Sequence, residues 1–278
     1  MAKPDIQQIA SMLDDEDDNV ALNVMVQLMA RADELGDLPG ILQESSNRLV
    51  RRRAHQLQVA LNLRQRRESF HRRLTGGAAP ELIPGLYELH LLWYDRDSSL
   101  DLRKLFNDFS SIYAGCRINS LEGIEKFMRK NCVVPLPESS VCGDIYCLGC
   151  VLDRRIGSQL LILALAAELT GNPALQIAKI SEGFVLYDSE SGKMLTGKGG
   201  WTVFPVPENE VPEIWNSTMV LKYISGMLLA CAVTSDSFRY VMSFAQAISG
   251  DRSEHVFDDF PYPFRAVPDE DADENNQL

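Results

Sequence analysis

Four cysteines, Cys132, Cys142, Cys147 and Cys150, lie close together in the sequence, and the last pair has the x-x spacing of metal ligands. A zinc site wants a second close pair or histidine partners. Nine residues separate Cys132 from Cys142, and no histidine is local. The expectation is therefore thiols lining a helix, with Cys147 and Cys150 on one face; a metal or redox-active site is the alternative. A second concentration of chemistry is basic. Residues 48 to 73 hold nine arginines and one acid, Glu68, for a net of +8. On a helix turning about 100° per residue, Arg48, Arg52, His55, Arg66 and Arg73 fall within about 60° of each other. Such a face is expected to be solvated or paired with the protein's own acidic turn or tail; an acidic protein partner is the alternative. Phe70 is the one aromatic in that stretch that could stack a base, so nucleic acid is not expected.

These groups sit in a chain of 278 residues with a formal net charge of -12. Outside the arginine stretch the charge sums to -20, which repels nucleic acid and anionic lipid on average. Hydrophobic residues make up 45% and charged residues 24%, a globular balance that excludes a disulfide scaffold, collagen and global disorder. No segment is expected to reach the roughly 18 apolar residues of a membrane span; the longest apolar run, 160 to 167, is about half that. The N-terminus carries acids where a signal peptide carries bases, so thiols in a reducing cytoplasm are expected. Residues 268 to 278 contain five acids and no Lys or Arg, and read as a disordered acidic tail that can screen the arginine face. Just before it, Phe260-Pro261-Tyr262-Pro263-Phe264 reads as an extended segment that runs back along the body and buries its aromatics; docking to another protein is the alternative.

Periodicity places these residues on elements. Ile6, Ile9, Ala10 and Leu13 predict a short helix, and an Asp near position 18 caps a second along Val20, Val24, Leu28 and Ala32. A short helix is predicted over 39 to 44. One long helix is predicted over 49 to 74, with Val50, Ala54, Leu57 and Leu61 as its buried stripe. Gly76-Gly77 and Pro80 end this region. The two helix pairs resemble a degenerate HEAT-type repeat, fewer than the three units that usually stand alone. Further helices are predicted around 86 to 93, 102 to 113, 121 to 128, 145 to 154 and 158 to 170, with a Pro-bearing loop at 133 to 141. The period then shortens. Strands are predicted at 175 to 180, 184 to 187, 193 to 195 and 201 to 206, with Asp188-Ser189-Glu190-Ser191-Gly192 as a hairpin turn. Trp215 falls at the start of a returning helix, followed by 219 to 233 and 238 to 249. The fold class is α+β, mostly helical, with a small antiparallel sheet.

Several pieces match one family in order. Leu105-Phe106 through Tyr113-Ala114-Gly115 is a helix ending in an aromatic and Gly. Cys147 to Gly157 is a leucine-bearing helix ending Asp-Arg-Arg-Ile-Gly. Residues 160 to 173 form an apolar helix ending Leu-Thr-Gly-Asn-Pro, and a hairpin spans 177 to 195. Together they resemble the SirB-type branch of the transglutaminase-like superfamily, some members of which also carry N-terminal helices. The resemblance implies a helical module over 1 to 77, a transglutaminase-like core over 78 to 265 and a tail over 266 to 278.

It also locates a degenerate cleft at Gly157, Ser158, Gln159 and Gly183. Catalytic members carry a Cys at the start of the apolar helix, where the helix terminus favours thiolate, and a His on the first core strand within a Pro-Gly-His-Phe-like motif. This chain has Gln159 at the first position. It reads Ser181-Glu182-Gly183-Phe184 at the second, so Gly183 stands for the His. All four histidines, at 55, 71, 90 and 255, fall outside the core motif, and no third partner matches near Trp201 to Phe204. The implied function is a non-catalytic interaction or scaffold protein, with no cofactor and no metal. The rival is an enzyme with a rearranged site, either a hydrolase on Ser158 or a thiol enzyme on Cys142, Cys147 or Cys150.

Overall fold

The computed structural model describes residues 5–77, 80–139, 142–235 and 237–250. The protein is a mostly helical α+β fold with a small antiparallel sheet. It divides into two compact units between Gln65 and Arg66, inside the long arginine-rich helix and not at the glycine pair that ends it.

The first unit is built from amphipathic helices. α1 (Ile6–Ser11) is capped by Asp5 and runs into a 3-10 turn, Met12–Asp14. α2 (Asp18–Ala30) is capped by Asp17, whose carboxylate accepts from the Asn19 N–H at 2.8 Å. This satisfies one of the amide donors that a helix start leaves unpaired. α3 (Leu38–Gln43) starts with Pro39 in its first turn. α4 spans Arg48–Thr75, and its part up to Gln65 closes the unit. Ile9, Leu13, Met25, Leu28 and Met29 pack with Val50, Leu57 and Ala60 into one core. The expected stripe on α4 is buried at Val50, Ala54 and Leu57 and partly buried at Leu61.

In the second unit, α5 (Leu82–Trp93), α6 (Ser99–Gly115) and α7 (Leu121–Lys130) follow the rest of α4. β1 (Val134–Leu136) lies within the segment expected to be a loop. A 3-10 turn, Gly143–Tyr146, precedes α8 (Leu148–Arg154), so the expected single helix over 145 to 154 is two pieces. β2 (Ile156–Ser158) pairs in parallel with β1, Leu136 opposite Ser158. α9 (Gln159–Thr170) is apolar all round and buried from Leu160 to Ala166, as a central core helix must be. Gly171 ends it at φ 62°, the left-handed conformation of a glycine cap.

The sheet follows. β3 (Leu175–Ile180), β4 (Gly183–Asp188), β5 (Lys193–Thr196), β6 (Thr202–Pro205) and β7 (Glu213–Trp215) are arranged in the order β6-β5-β4-β3-β7, antiparallel throughout. Trp215 therefore lies in an edge strand, not at a helix start. Its ring packs edge-on to Phe184 at 4.7 Å between centroids, and Phe184 packs likewise on Tyr223 at 5.0 Å. α10 (Ser217–Thr234) and α11 (Phe238–Ser249) complete the unit. With 18 residues and a mean hydropathy of 1.4, α10 is long and apolar enough to cross a membrane by length and composition. This corrects the expectation that no segment reaches that length: Lys222, Ser225 and Gly226 break the apolar runs, but the helix as a whole is apolar. Its Val220, Leu221, Ile224, Leu228 and Ala232 are buried in the protein core.

Candidate functional site

The start of α9 gathers several buried and part-buried polar contacts around a helix terminus. Ser158 ends β2 in extended backbone, and its Oγ accepts from the Leu161 N–H at 3.2 Å as a cap. The residue is wholly buried, at 0% exposure, so that hydroxyl is committed to structure. Gln159 opens the helix. Its Nε2 donates to the Phe184 carbonyl and to Thr196 Oγ1, the latter at 3.2 Å, tying α9 to β4 and β5. Glu138, on the segment after β1, accepts the Leu160 N–H through Oε1 at 2.9 Å. Its backbone carbonyl accepts from the Tyr146 hydroxyl at 2.9 Å, and its Oε2 is buried without a hydrogen-bond partner. Burial pushes the Glu138 carboxyl above the ordinary carboxylate value, against the downward pull of the Leu160 N–H. Burial, then the neighbouring Glu138, pushes the Tyr146 phenol up as well, and the Tyr223 phenol rises for the same two reasons.

Gln159 thus ties the start of α9 to the strand begun by Gly183, whose φ is 130° and whose Cβ position is open space. The arrangement positions backbone and carries no nucleophile–base pair among the described residues. His71 Nδ1 lies 3.2 Å from the Ile248 carbonyl. His90 is 3% exposed; its Nδ1 accepts from the Gly149 N–H at 3.3 Å, so its Nε2 holds the proton and donates to Asp97 Oδ2 at 3.0 Å. Burial pulls the His90 pKa down, and Asp97 offsets this only in part, so the ring is held neutral. His255 lies outside the described residues.

Two of the thiols, Cys147 and Cys150, are tuned away from nucleophilicity. Burial, aided by nearby Cys150 and Asp144, pushes Cys147 well above an ordinary thiol. Burial raises Cys150 too, although the Tyr94 hydroxyl pulls it down. A raised thiol pKa means less thiolate at neutral pH, the opposite of an activated cysteine. Cys132 and Cys142 are exposed. Among the described residues no three His, Cys, Asp or Glu side chains are placed to hold a metal ion.

The arginine helix departs from expectation. Arg48 and Arg52 are exposed, with Arg52 3.9 Å from Asp18. Arg66 and Arg73 do not point outward. The Arg66 Nη1 donates to the Leu91 and Asp95 carbonyls at 3.1 and 3.2 Å, and Arg73 forms a two-pronged pair with Glu88 at 2.9 and 3.1 Å. Arg53 is 2% exposed and donates to the Leu13 and Asp15 carbonyls and, at 2.8 Å, to Asp18. Arg67 is also buried and bonds Ser243 Oγ at 3.0 Å. Arg53 stands three residues after Val50 and four before Leu57, on the apolar stripe, and Arg67 lies likewise between Leu63 and Phe70; for these two that spacing was the readable signal. Arg66 and Arg73 share the angle of the exposed Arg48 and turn to tertiary partners instead, Leu91, Asp95 and Glu88. Glu138 had no readable signal, because its partner amide is 22 residues further on. The sequences 260 to 264 and 268 to 278, expected to bury aromatics and to screen, lie outside the described residues. No protein-family model, no curated protein and no solved structure matches the chain.

Proposed function

We propose that this chain is a non-catalytic interaction or scaffold protein on a degenerate transglutaminase-like fold. The observation that carries the reading is Gln159. A neutral amide stands where that superfamily's nucleophile would stand, and it is bonded across to the Phe184 carbonyl and Thr196. Ser158 beside it is buried and spent on the helix cap, so neither residue meets a base, and general acid–base help of about 10² to 10⁴-fold is missing. The face for an acidic partner narrows to Arg48 and Arg52, which remain exposed on a chain of net charge -12.

The test has two arms. The native chain is treated at neutral pH with iodoacetamide and with a fluorophosphonate; on this reading the exposed cysteines react no faster than a small free thiol and no serine is modified, whereas phosphonylation of Ser158 or labelling of a single cysteine far faster than a free thiol would falsify it. In parallel, proteins captured from native lysate by the intact chain are compared with those captured by Arg48→Glu/Arg52→Glu. Loss of an acidic protein from the variant's set is expected, and identical sets remove the arginine face from the proposal.

A further inference from the structure

A small cavity lies between α6, α7, α8 and α9, walled by Phe109, Met128, Val133, Val151, Ile162 and Leu165. With its open mouth included, the space is about 250 Å³, and its enclosed part has room for about one water-sized group. Arg155 is the one polar side chain on the wall. It is held there against local preference. Arg155 ends α8 at φ 61°, the left-handed conformation that glycine takes most cheaply. Its backbone bonds need no side chain: the N–H donates to the Val151 carbonyl at 3.0 Å, and the carbonyl accepts from the Val134 N–H at 2.8 Å. The guanidinium lies over the Phe109 ring, 4.4 Å from its centroid, and Nη1 is buried without a hydrogen-bond partner. No carboxylate among the described residues pairs with it. Burial lowers its pKa, and Asp153 offsets this only in part. Buried charges are ordinarily paired, and the arginine fork matches the geometry of a carboxylate.

We infer that Arg155 and this cavity form a binding site for a small organic anion, a monocarboxylate with an apolar tail of about three carbons. The free donor of the guanidinium takes the carboxylate, and the tail enters between the apolar walls. The unpaired cation selects an anion, and the walls select one with an apolar body over a hydrated inorganic ion. The enclosed space, sized for one small group, limits the tail to a short one. The site stands apart from the interaction reading, which rests on Gln159 and on Arg48 and Arg52, so either can fail without the other.

The test uses the full-length chain with isotope-labelled methionine methyl groups, read by NMR. Met128 is buried on the cavity wall, and its signal is identified by its loss in Met128→Leu. Sodium butyrate is titrated at constant ionic strength, with sodium acetate, sodium chloride and butylammonium chloride as comparisons. The Met128 methyl should shift saturably with butyrate, with half-saturation at about 1 to 10 mM for so small a ligand. Acetate should act more weakly, and chloride and the ammonium should leave the signal in place. Arg155→Gln should weaken butyrate at least tenfold. Three results would overturn the inference: a Met128 methyl that does not move, an equal response to chloride or acetate, or unchanged butyrate affinity in Arg155→Gln. The second would make the site an adventitious anion contact, and the third would leave the guanidinium only a stacking partner of Phe109. The wild-type comparison of butyrate with butylammonium decides the matter even if a variant folds poorly.

Discussion

The helical unit of residues 5–65 and the start of α9 solve the same problem with different chemistry. Both must bind backbone groups that their helices leave unpaired. In the first, a long cation does it: Arg53 reaches two carbonyls beyond α1 and the Asp18 carboxylate, with its stem buried on the apolar stripe. Around α9 the work falls to short neutral groups, Ser158 and Gln159, with one carboxylate, Glu138, on an amide donor. A buried cation is worth little net of its desolvation, but removing it strands its partners. Neutral caps strand less when lost. The two regions should therefore tolerate substitution very differently.

The largest effect is expected at Arg53. Arg53→Met keeps the apolar stem and leaves the Leu13 and Asp15 carbonyls and Asp18 without a cation. Urea unfolding should show a loss of about 3 to 5 kcal/mol; an unchanged midpoint would erase the contrast. Next comes Gly157→Ala. Its added Cβ would lie 2.4 Å from Val151 Cγ2 and 3.2 Å from the Ile145 carbonyl, an overpacking cost of about 1 to 3 kcal/mol by the same measurement. Gln159→Met removes two hydrogen bonds from partly exposed surroundings and should cost about 1 kcal/mol. A loss as large as that of Arg53→Met would mean the cleft depends on Gln159 as the first unit depends on its cation.

The smallest effect is read in pH. His90 is neutral in the fold because its pKa is lowered, so its contribution is complete above the ordinary value near 6.5 and is lost as pH falls through that value toward the folded one. His90→Asn keeps an acceptor for Gly149 and should flatten the stability decline between about pH 7 and 5. Glu138 has the opposite sign. Its raised pKa makes the folded carboxylate costly above that pKa, and the cost is relieved as pH falls toward the ordinary value. Glu138→Gln should therefore remove a gain in stability on acidification.

The helices were readable because their apolar residues recur at helical spacing over ten or more positions, as on α4 and α9. Three strands were not. β1 is Val134-Pro135-Leu136, β2 is Ile156-Gly157-Ser158, and β7 follows Pro212. Each is three residues long, too short for alternation to appear, and two contain the Pro or Gly that signals a turn. Motif order alone singled out Gly157, Ser158, Gln159 and Gly183. What they touch was not legible, because Phe184, Thr196 and Glu138 reach the start of α9 only through tertiary pairing. The arginines failed for a different reason: Arg66 and Arg73 share the helix angle of the exposed Arg48, and only their tertiary partners Leu91, Asp95 and Glu88 set them apart from it.

Gly183 bears on reversibility. At φ 130° the backbone sits where L-residues with a β-carbon are strained, although the space beside it is empty. A histidine introduced there by one substitution would have to turn the strand before its ring could be aimed at anything. Position 159 would need its amide's partners on β4 and β5 released as well. On the proposed reading, loss of chemistry in this lineage acts as a ratchet: the two side chains could be replaced by mutation, but the conformation that once served them would have to be recovered separately and first.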